Sequence, residues 1–160
     1  MAERGTYTYD YPRPAVTADA AVFAFSGGAG GAPGGGWELL LVERRNEPFR
    51  GRWALPGGFL EMDETAEACA RRELREETSV HLAGRPFAFV GLFDAVGRDP
   101  RGRVLSAAYA VAAPKSECAV RAGDDAAAAR WFPLAALPPL AFDHAAVIRA
   151  AAAALHLPLP

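Results

Sequence analysis

Residues 72 to 77, Arg72-Glu73-Leu74-Arg75-Glu76-Glu77, concentrate the side chains of this chain that could do chemistry. On a helix Glu73, Glu76 and Glu77 stand at i, i+3 and i+4, so the three carboxylates leave one face. Like charges held that close raise one another's pKa unless cations compensate. Ala70 and Leu74 lie beside this face and suit packing on a sheet, whereas Arg71 and Arg75 point away from it. The acidic stripe therefore borders the buried side, where uncompensated charge is costly. A hard divalent cation resolves that conflict. Oxygen donors without thiolate or imidazole nearby suit Mg2+ or Mn2+ rather than Zn2+. The competing reading is a solvated helix whose arginines and glutamates pair for about 0.3 kcal/mol each. The hexapeptide alone leaves both readings open.

The elements around the hexapeptide must position it. A helix is expected over residues 66 to 78, with Thr65 as its N-cap and Glu67 near the positive end of its dipole. Before it, Leu55-Pro56-Gly57-Gly58-Phe59-Leu60-Glu61 and then Asp63-Glu64 form an acidic loop. Its paired glycines permit a tight turn in which backbone carbonyls approach a metal. Residues 15 to 25 and 37 to 43 read as neighbouring strands. The glycine-rich stretch 26 to 36 between them lacks the Lys-Ser/Thr ending of a phosphate loop and reads as a flexible hairpin connection. Residues 46 to 58 are broken by Pro48, Gly51, Pro56, Gly57 and Gly58 and read as irregular. Strands are expected over 87 to 93 and 104 to 112, joined by the polar loop 94 to 103. Asp124 and Asp125 precede an alanine-rich turn into Arg130-Trp131-Phe132. A last helix is expected over 144 to 155, with Asp143 as a candidate N-cap. Mixed strands with two helices place the chain in the α/β or α+β class, as one domain over residues 1–160.

Composition bounds the function. With 160 residues, 51% of them hydrophobic, and a formal net charge of -2, no basic field advertises nucleic-acid binding. A polyanionic ligand must then be held by local arginines or by metal ions. Two cysteines, Cys69 and Cys118, build no disulfide framework and fit no zinc spacing, which favours a reduced, cytoplasmic setting. The N-terminus shows no secretory signal, and the alanine-rich tail is too short to cross a bilayer.

Taken together, Gly58, Glu64, Arg72-Glu73-Leu74, Glu76-Glu77 and Val80 match the Nudix box, G-x5-E-x7-R-E-U-x-E-E-x-G-U with U a bulky aliphatic residue, over residues 58–80. Ser79 departs from it, standing where that family usually has glycine. The chain resembles a Nudix hydrolase. Softer similarities extend the resemblance over nearly the whole chain: Thr17 and Asp19, Glu47-Pro48-Phe49, Trp53-Ala54-Leu55-Pro56, residues 98 to 103, and Ala141-Phe142-Asp143-His144. They are similar to the ADP-ribose pyrophosphatase branch, which includes Nudix domains of NAD-metabolism regulators. Those regulators carry a winged helix after the Nudix portion, for which 160 residues leave no room.

The resemblance implies a Nudix-type α/β/α sandwich with a mixed β-sheet. It also implies metal-dependent hydrolysis of a nucleoside diphosphate-linked substrate: ADP-ribose to AMP and ribose 5-phosphate, with Mg2+ as cofactor and Mn2+ as a substitute. Glu73, Glu76 and Glu77 would ligate the metal, with the Gly57 or Gly58 carbonyl in addition. Arg72 would orient the glutamates, and Glu64 would support the loop or a further metal. The general base is a box glutamate, Glu76, or an acidic residue of a later loop, Asp125; the competing role for Asp124 and Asp125 is a turn or helix cap. Arg98, Arg101 and Arg103 either grip phosphate or sit on a solvated loop where Asp99 pairs locally. Arg45 and Phe49 contact substrate or serve packing and solubility. His144 touches a base, donates a proton or is structural. The three tryptophans, Trp37, Trp53 and Trp131, are expected in the core or at its edges. The same box serves nucleoside triphosphates and dinucleoside polyphosphates, and a non-catalytic sensor of ADP-ribose is a reading of another class. The expected partner is a small nucleotide, with no nucleic acid and no membrane. Relatives that cleave ADP-ribose often dimerise, so a homodimer is implied, with residues 134 to 142 as its interface or as a core-covering loop.

Overall fold

The computed structural model describes residues 7–26, 36–123 and 126–158. Its framework is a mixed sheet centred on strand β1 (Ala15–Ser26). Along one edge β1 pairs in parallel with β6 (Val104–Pro114), which pairs antiparallel with the edge strand β5 (Ala88–Phe93). Along its other edge β1 meets two partners in turn. Its C-terminal end pairs with β2 (Gly36–Arg44), through Phe23↔Leu39 to Ser26↔Gly36. Its N-terminal half pairs with the short β4 (Gly57–Phe59), through Thr17↔Phe59 and Asp19↔Gly57. β2 pairs with β3 (Trp53–Ala54) on the edge that β1 leaves, and with β7 (Ala126–Pro133) on the other. β1 and β2 thus run together at one end and part at the other, where residues 53 to 59 fill the opening.

The alternation along β1 decides what covers each face. Ala18, Ala20 and Val22 pack with Leu40 against Cys69, Ala70 and Leu74 of helix α1 (Ala66–Thr78). Ala21 and Phe23 pack with Leu39 and Leu41 against Val147, Ile148, Ala151 and Ala152 of helix α2 (His144–Ala154). The result is the expected α/β/α sandwich. Five of the twelve residues of β1 are alanine, and four of them, Ala18, Ala20, Ala21 and Ala24, are fully buried, so a larger side chain there would require repacking.

Several expectations change. Residues 46 to 58 are not wholly irregular, since they contain β3 and β4. The alanine-rich stretch before Trp131 is a strand, not a turn. Asp143 occupies the N-cap position of α2 but makes no capping hydrogen bond, because its carboxylate is committed to Arg98. Residues 134 to 142 cover the core: Leu134 and Ala141 are buried, and Leu137 and Leu140 pack on the α2-side cluster. Trp37, Trp53 and Trp131 border the two main clusters, as expected. The glycine-rich connection lies outside the described residues except for its paired ends, Ser26 and Gly36. Among the described residues no helix is long and apolar enough to cross a membrane.

Candidate active site

The opening between β1 and β2 forms a cavity lined by β1 to β4, both helices and the β5–β6 connection. Asp19 of β1, Arg44 of β2, Leu55, Gly57 and Gly58 around β4, Glu77 of α1, Arg98, Asp99 and Arg101 of the β5–β6 connection, and Phe142 and His144 at the start of α2 all line it.

Helix α1 carries the acidic residues. Thr65 caps it as expected, its hydroxyl accepting from the Ala68 N–H at 3.2 Å. At the other end Ser79 adopts the left-handed conformation (φ 61°, ψ 8°), and its N–H donates to the Arg75 carbonyl. A helix that stops here requires a left-handed residue, which explains why glycine suits this place. Arg72 is the hub of the acidic face. Its Nε and Nη2 donate to the two oxygens of Glu64 at 3.1 and 2.7 Å, and Nη1 donates to Glu73 at 2.6 Å and to Glu76 at 3.2 Å. A planar guanidinium can serve three carboxylates and the Phe59 carbonyl at once; an ammonium lacks that fork. The hydrogen bonds from Arg72 hold Glu64 down to about 2. Glu73 is pushed up, since burial outweighs its contact with Arg72.

Glu77 is different. It is half-buried and, among the described residues, forms no ion pair within 4 Å; its Oε2 accepts from the Gly57 N–H at 3.0 Å. Burial, reinforced by the charges of Glu73 and Asp19, pushes its carboxyl up to about 8. The glycines beside it are needed for space, not for a turn. They are strand residues, and the bend falls at Pro56. A Cβ on Gly57 would collide with Asp19 and the Ala18 carbonyl, and one on Gly58 with the Glu73 carboxylate.

Among the described residues no three His, Cys, Asp or Glu side chains are gathered for a metal. The reason is visible: Arg72 draws Glu64, Glu73 and Glu76 to itself, and Glu77 turns to an amide. The donor set still fits a hard cation. It is all oxygen, and Glu77 is a half-buried carboxylate with no cation within 4 Å among the described residues. Glu73, Glu76 and Glu77 are the residues that would hold it.

Facing the carboxylates is a basic and aromatic wall. Arg101 grips the buried Asp99 through both carboxylate oxygens and lies 5.0 Å from the Phe59 ring centre and 5.5 Å from that of Phe142. Burial alone would raise Asp99, but the hydrogen bonds from Arg101 outweigh it and lower its pKa. Arg98, only 4% exposed, forks onto Asp143. Arg44 donates to the Pro48 carbonyl and lies over Phe142, while Arg45 donates to the Ala126 carbonyl at 3.0 Å. Phe49 does not line the cavity but packs edge-on against Phe142, which does. Arg103 is not in the wall; its guanidinium donates to the Asp94 carbonyl. Asp124 and Asp125 lie outside the described residues, although the chain leading to them docks on α1, the Gly123 N–H donating to the Glu77 carbonyl. Sequence reasoning did not place Asp19, Arg44 or Phe142 in the site. A charged residue inside the apolar run of β1, and an arginine closing the apolar run of β2, were the available signals.

The NUDIX domain model matches residues 16–151 of this chain. The chain belongs to the Nudix family. An ADP-ribose pyrophosphatase from Methanocaldococcus jannaschii is 43% identical over 112 residues, 70% of this chain and 64% of that protein. The ADPR responsive transcriptional repressor NtrR of Acinetobacter baylyi is 38% identical over 103 residues, 62% of this chain and 37% of the repressor. The chain thus spans less than two thirds of either relative. Among solved structures, the NUDIX domain of Shewanella oneidensis NrtR complexed with ADP ribose superposes with a TM-score of 0.79 at 30% identity, covering 91% of this chain and 90% of that domain. Residues 58–80 of this chain run through β4, the loop after it and α1.

Proposed function

We propose that this Nudix protein hydrolyses ADP-ribose to AMP and ribose 5-phosphate with the help of Mg2+ or Mn2+. The observation that carries the reading is the two-sided cavity, with Glu77 and Asp19 on one side and Arg44, Arg98, Arg101 and Phe142 on the other. On the same helix Glu73 stands one turn before Glu77, and Glu76 next to it. A nucleotide diphosphate needs both: a basic, aromatic surface for its anionic and ring portions, and carboxylates at the bond to be cut. The similarity to an ADP-ribose pyrophosphatase and to an ADP-ribose-bound domain supports the substrate.

In the reaction, water attacks one phosphorus of the diphosphate, the bond from that phosphorus to the bridging oxygen breaks, and the proton passes to a carboxylate. Glu76, the most exposed of the box glutamates, is one candidate for this base and Asp125 the other. A cation held by Glu73, Glu76 and Glu77 would screen the diphosphate and acidify water. Arg72 orients Glu73 and Glu76, and Glu64 anchors Arg72. Arg101 binds the substrate's phosphate and ribose portion, Arg45 and Arg98 line the same cavity, and Phe49 backs the Phe142 ring.

A second reading, a sensor that binds ADP-ribose without cleaving it, is favoured by the similarity to the repressor. Product analysis by chromatography separates the readings. ADP-ribose, NADH, dGTP, 8-oxo-dGTP and diadenosine polyphosphates are offered at matched Mg2+ and Mn2+. Preferred release of AMP from ADP-ribose supports the proposal. Preference for a triphosphate or dinucleoside polyphosphate replaces the substrate, and tight ADP-ribose binding without AMP favours the sensor.

A further inference from the structure

We propose that Asp19 and His144 form a buried positioning pair that holds residues 55 to 58, and through Gly57 the carboxylate of Glu77, in the arrangement the active site requires. The inference rests on the hydrolase reading above for its kinetic consequence, but not for its structural one.

Asp19 is a carboxylate in a strand whose neighbouring positions are alanine and valine, and it is 6% exposed. Oδ2 accepts a hydrogen bond from the Ser106 hydroxyl. Oδ1 faces the Nε2 of His144 at 3.9 Å and lies against the Cα of Gly57, where any Cβ would strike it. On its other side the His144 ring is fully engaged: Nδ1 accepts from the Leu55 N–H at 2.9 Å. A neutral imidazole that accepts on Nδ1 carries its proton on Nε2, the nitrogen turned toward Asp19. The carboxylate thereby favours the tautomer and ring orientation that let His144 hold Leu55. Burial lowers the His144 pKa, in keeping with a neutral ring.

The next two residues are held from other directions. The Pro56 carbonyl accepts from the Ala20 N–H at 2.8 Å, and the Gly57 N–H donates to Glu77 at 3.0 Å. Leu55, Pro56 and Gly57 are therefore fixed by α2, β1 and α1 in succession. Two of these three anchors pass through polar side chains, and the Asp19–His144 pair governs the first. With it lost, Leu55 is released, and the Gly57 amide is held against Glu77 only by the β4–β1 pairing and the Ala20–Pro56 hydrogen bond.

The test uses the 15N-labelled 160-residue chain without added metal, following hydrogen exchange of the Leu55 and Gly57 amides, with steady-state kinetics on ADP-ribose alongside. In His144→Leu, exchange at Gly57 is expected to rise at least tenfold, and kcat to fall at least tenfold with KM within twofold. His144→Asn, whose side-chain oxygen can accept from Leu55, is expected to restore both to within about threefold. Asp19→Asn, nearly isosteric, is expected to behave as His144→Leu and carries the test if that variant does not fold. Unchanged Gly57 exchange in both His144→Leu and Asp19→Asn overturns the pair, as does an equal loss in His144→Asn and His144→Leu. Exchange needs no turnover, so a wild type that releases no AMP counts against the proposed activity, whereas unchanged Gly57 exchange counts against the pair.

Discussion

The amide of Gly57 donates to Oε2 of Glu77 at 3.0 Å, tying the strand that precedes the Nudix box to the helix inside it. These residues lie twenty positions apart, and each explains the other. Gly57 has no side chain because Asp19 occupies that space, and Glu77 tolerates burial partly because an amide faces it.

That burial has a pH signature in the metal-free protein. The Glu77 carboxyl is raised from 4.5 to about 8, so the folded chain holds a proton there that the unfolded chain has released. Its contribution to stability is fully present below pH 4.5 and is lost as pH rises through about 8. Glu77→Gln is therefore expected to raise Tm at pH 8.5 relative to wild type, with the gain vanishing near pH 4. Mg2+ at pH 8.5 is expected to raise the wild-type Tm more than that of the variant. Calorimetry across pH, with and without Mg2+, checks both.

Glu64 has the opposite sign. Arg72 holds it down to about 2 from 4.5, so its stabilisation is complete above pH 4.5 and disappears as pH falls through about 2. Arg72→Gln is expected to flatten the fall of Tm between pH 4.5 and 2. Arg72→Lys keeps the charge but not the fork and is expected to lose activity by at least about tenfold, because one ammonium cannot bridge Glu64, Glu73 and Glu76 together.

Ser79 offers a gain. Its left-handed conformation costs roughly 1–2 kcal/mol for a residue with a Cβ. Ser79→Gly relieves this but loosens the unfolded chain by about 0.4–1 kcal/mol. The net expectation is a stabilisation of about 0.5–1 kcal/mol, read as a Tm increase of roughly 1–4 °C, with kcat unchanged. Thermal unfolding at pH 7 tests it.

Arg101 lies between the rings of Phe59 and Phe142 on the cavity wall. Arg101→Lys is expected to raise KM for ADP-ribose about tenfold while kcat changes little, the pattern of an interaction made equally in the ground and transition states. Initial-rate kinetics over a range of substrate concentrations distinguishes this from a loss of chemistry.

What could be read in advance depended on how locally each feature is specified. Helix α1 was legible to the residue because its cap Thr65 and its spacing are local in the sequence. β3 and β4 were not, since strands of two and three residues containing Gly57 and Gly58 acquire their identity from β2 and β1. β7 read as a turn because alanines 126 to 129 carry no pattern; pairing with β2 makes them a strand. Arg72 was expected to orient the glutamates, and its contacts with three of them lie within thirteen residues of chain. The pairing of Arg98 with Asp143, and of Asp19 with His144, spans 45 and 125 positions and exists only once α2 has packed on the sheet. That is also why Asp143 looked like a cap: its type suited the role, and a distant arginine took its carboxylate.

The most direct test of the central claim is release of AMP from ADP-ribose by wild type and Glu77→Gln at matched Mg2+, with folding of both checked by circular dichroism. The account predicts Mg2+-dependent AMP and ribose 5-phosphate from wild type and a loss of about a hundredfold or more in the folded variant. Equal turnover by the two proteins, or no AMP from wild type with either Mg2+ or Mn2+, would contradict it.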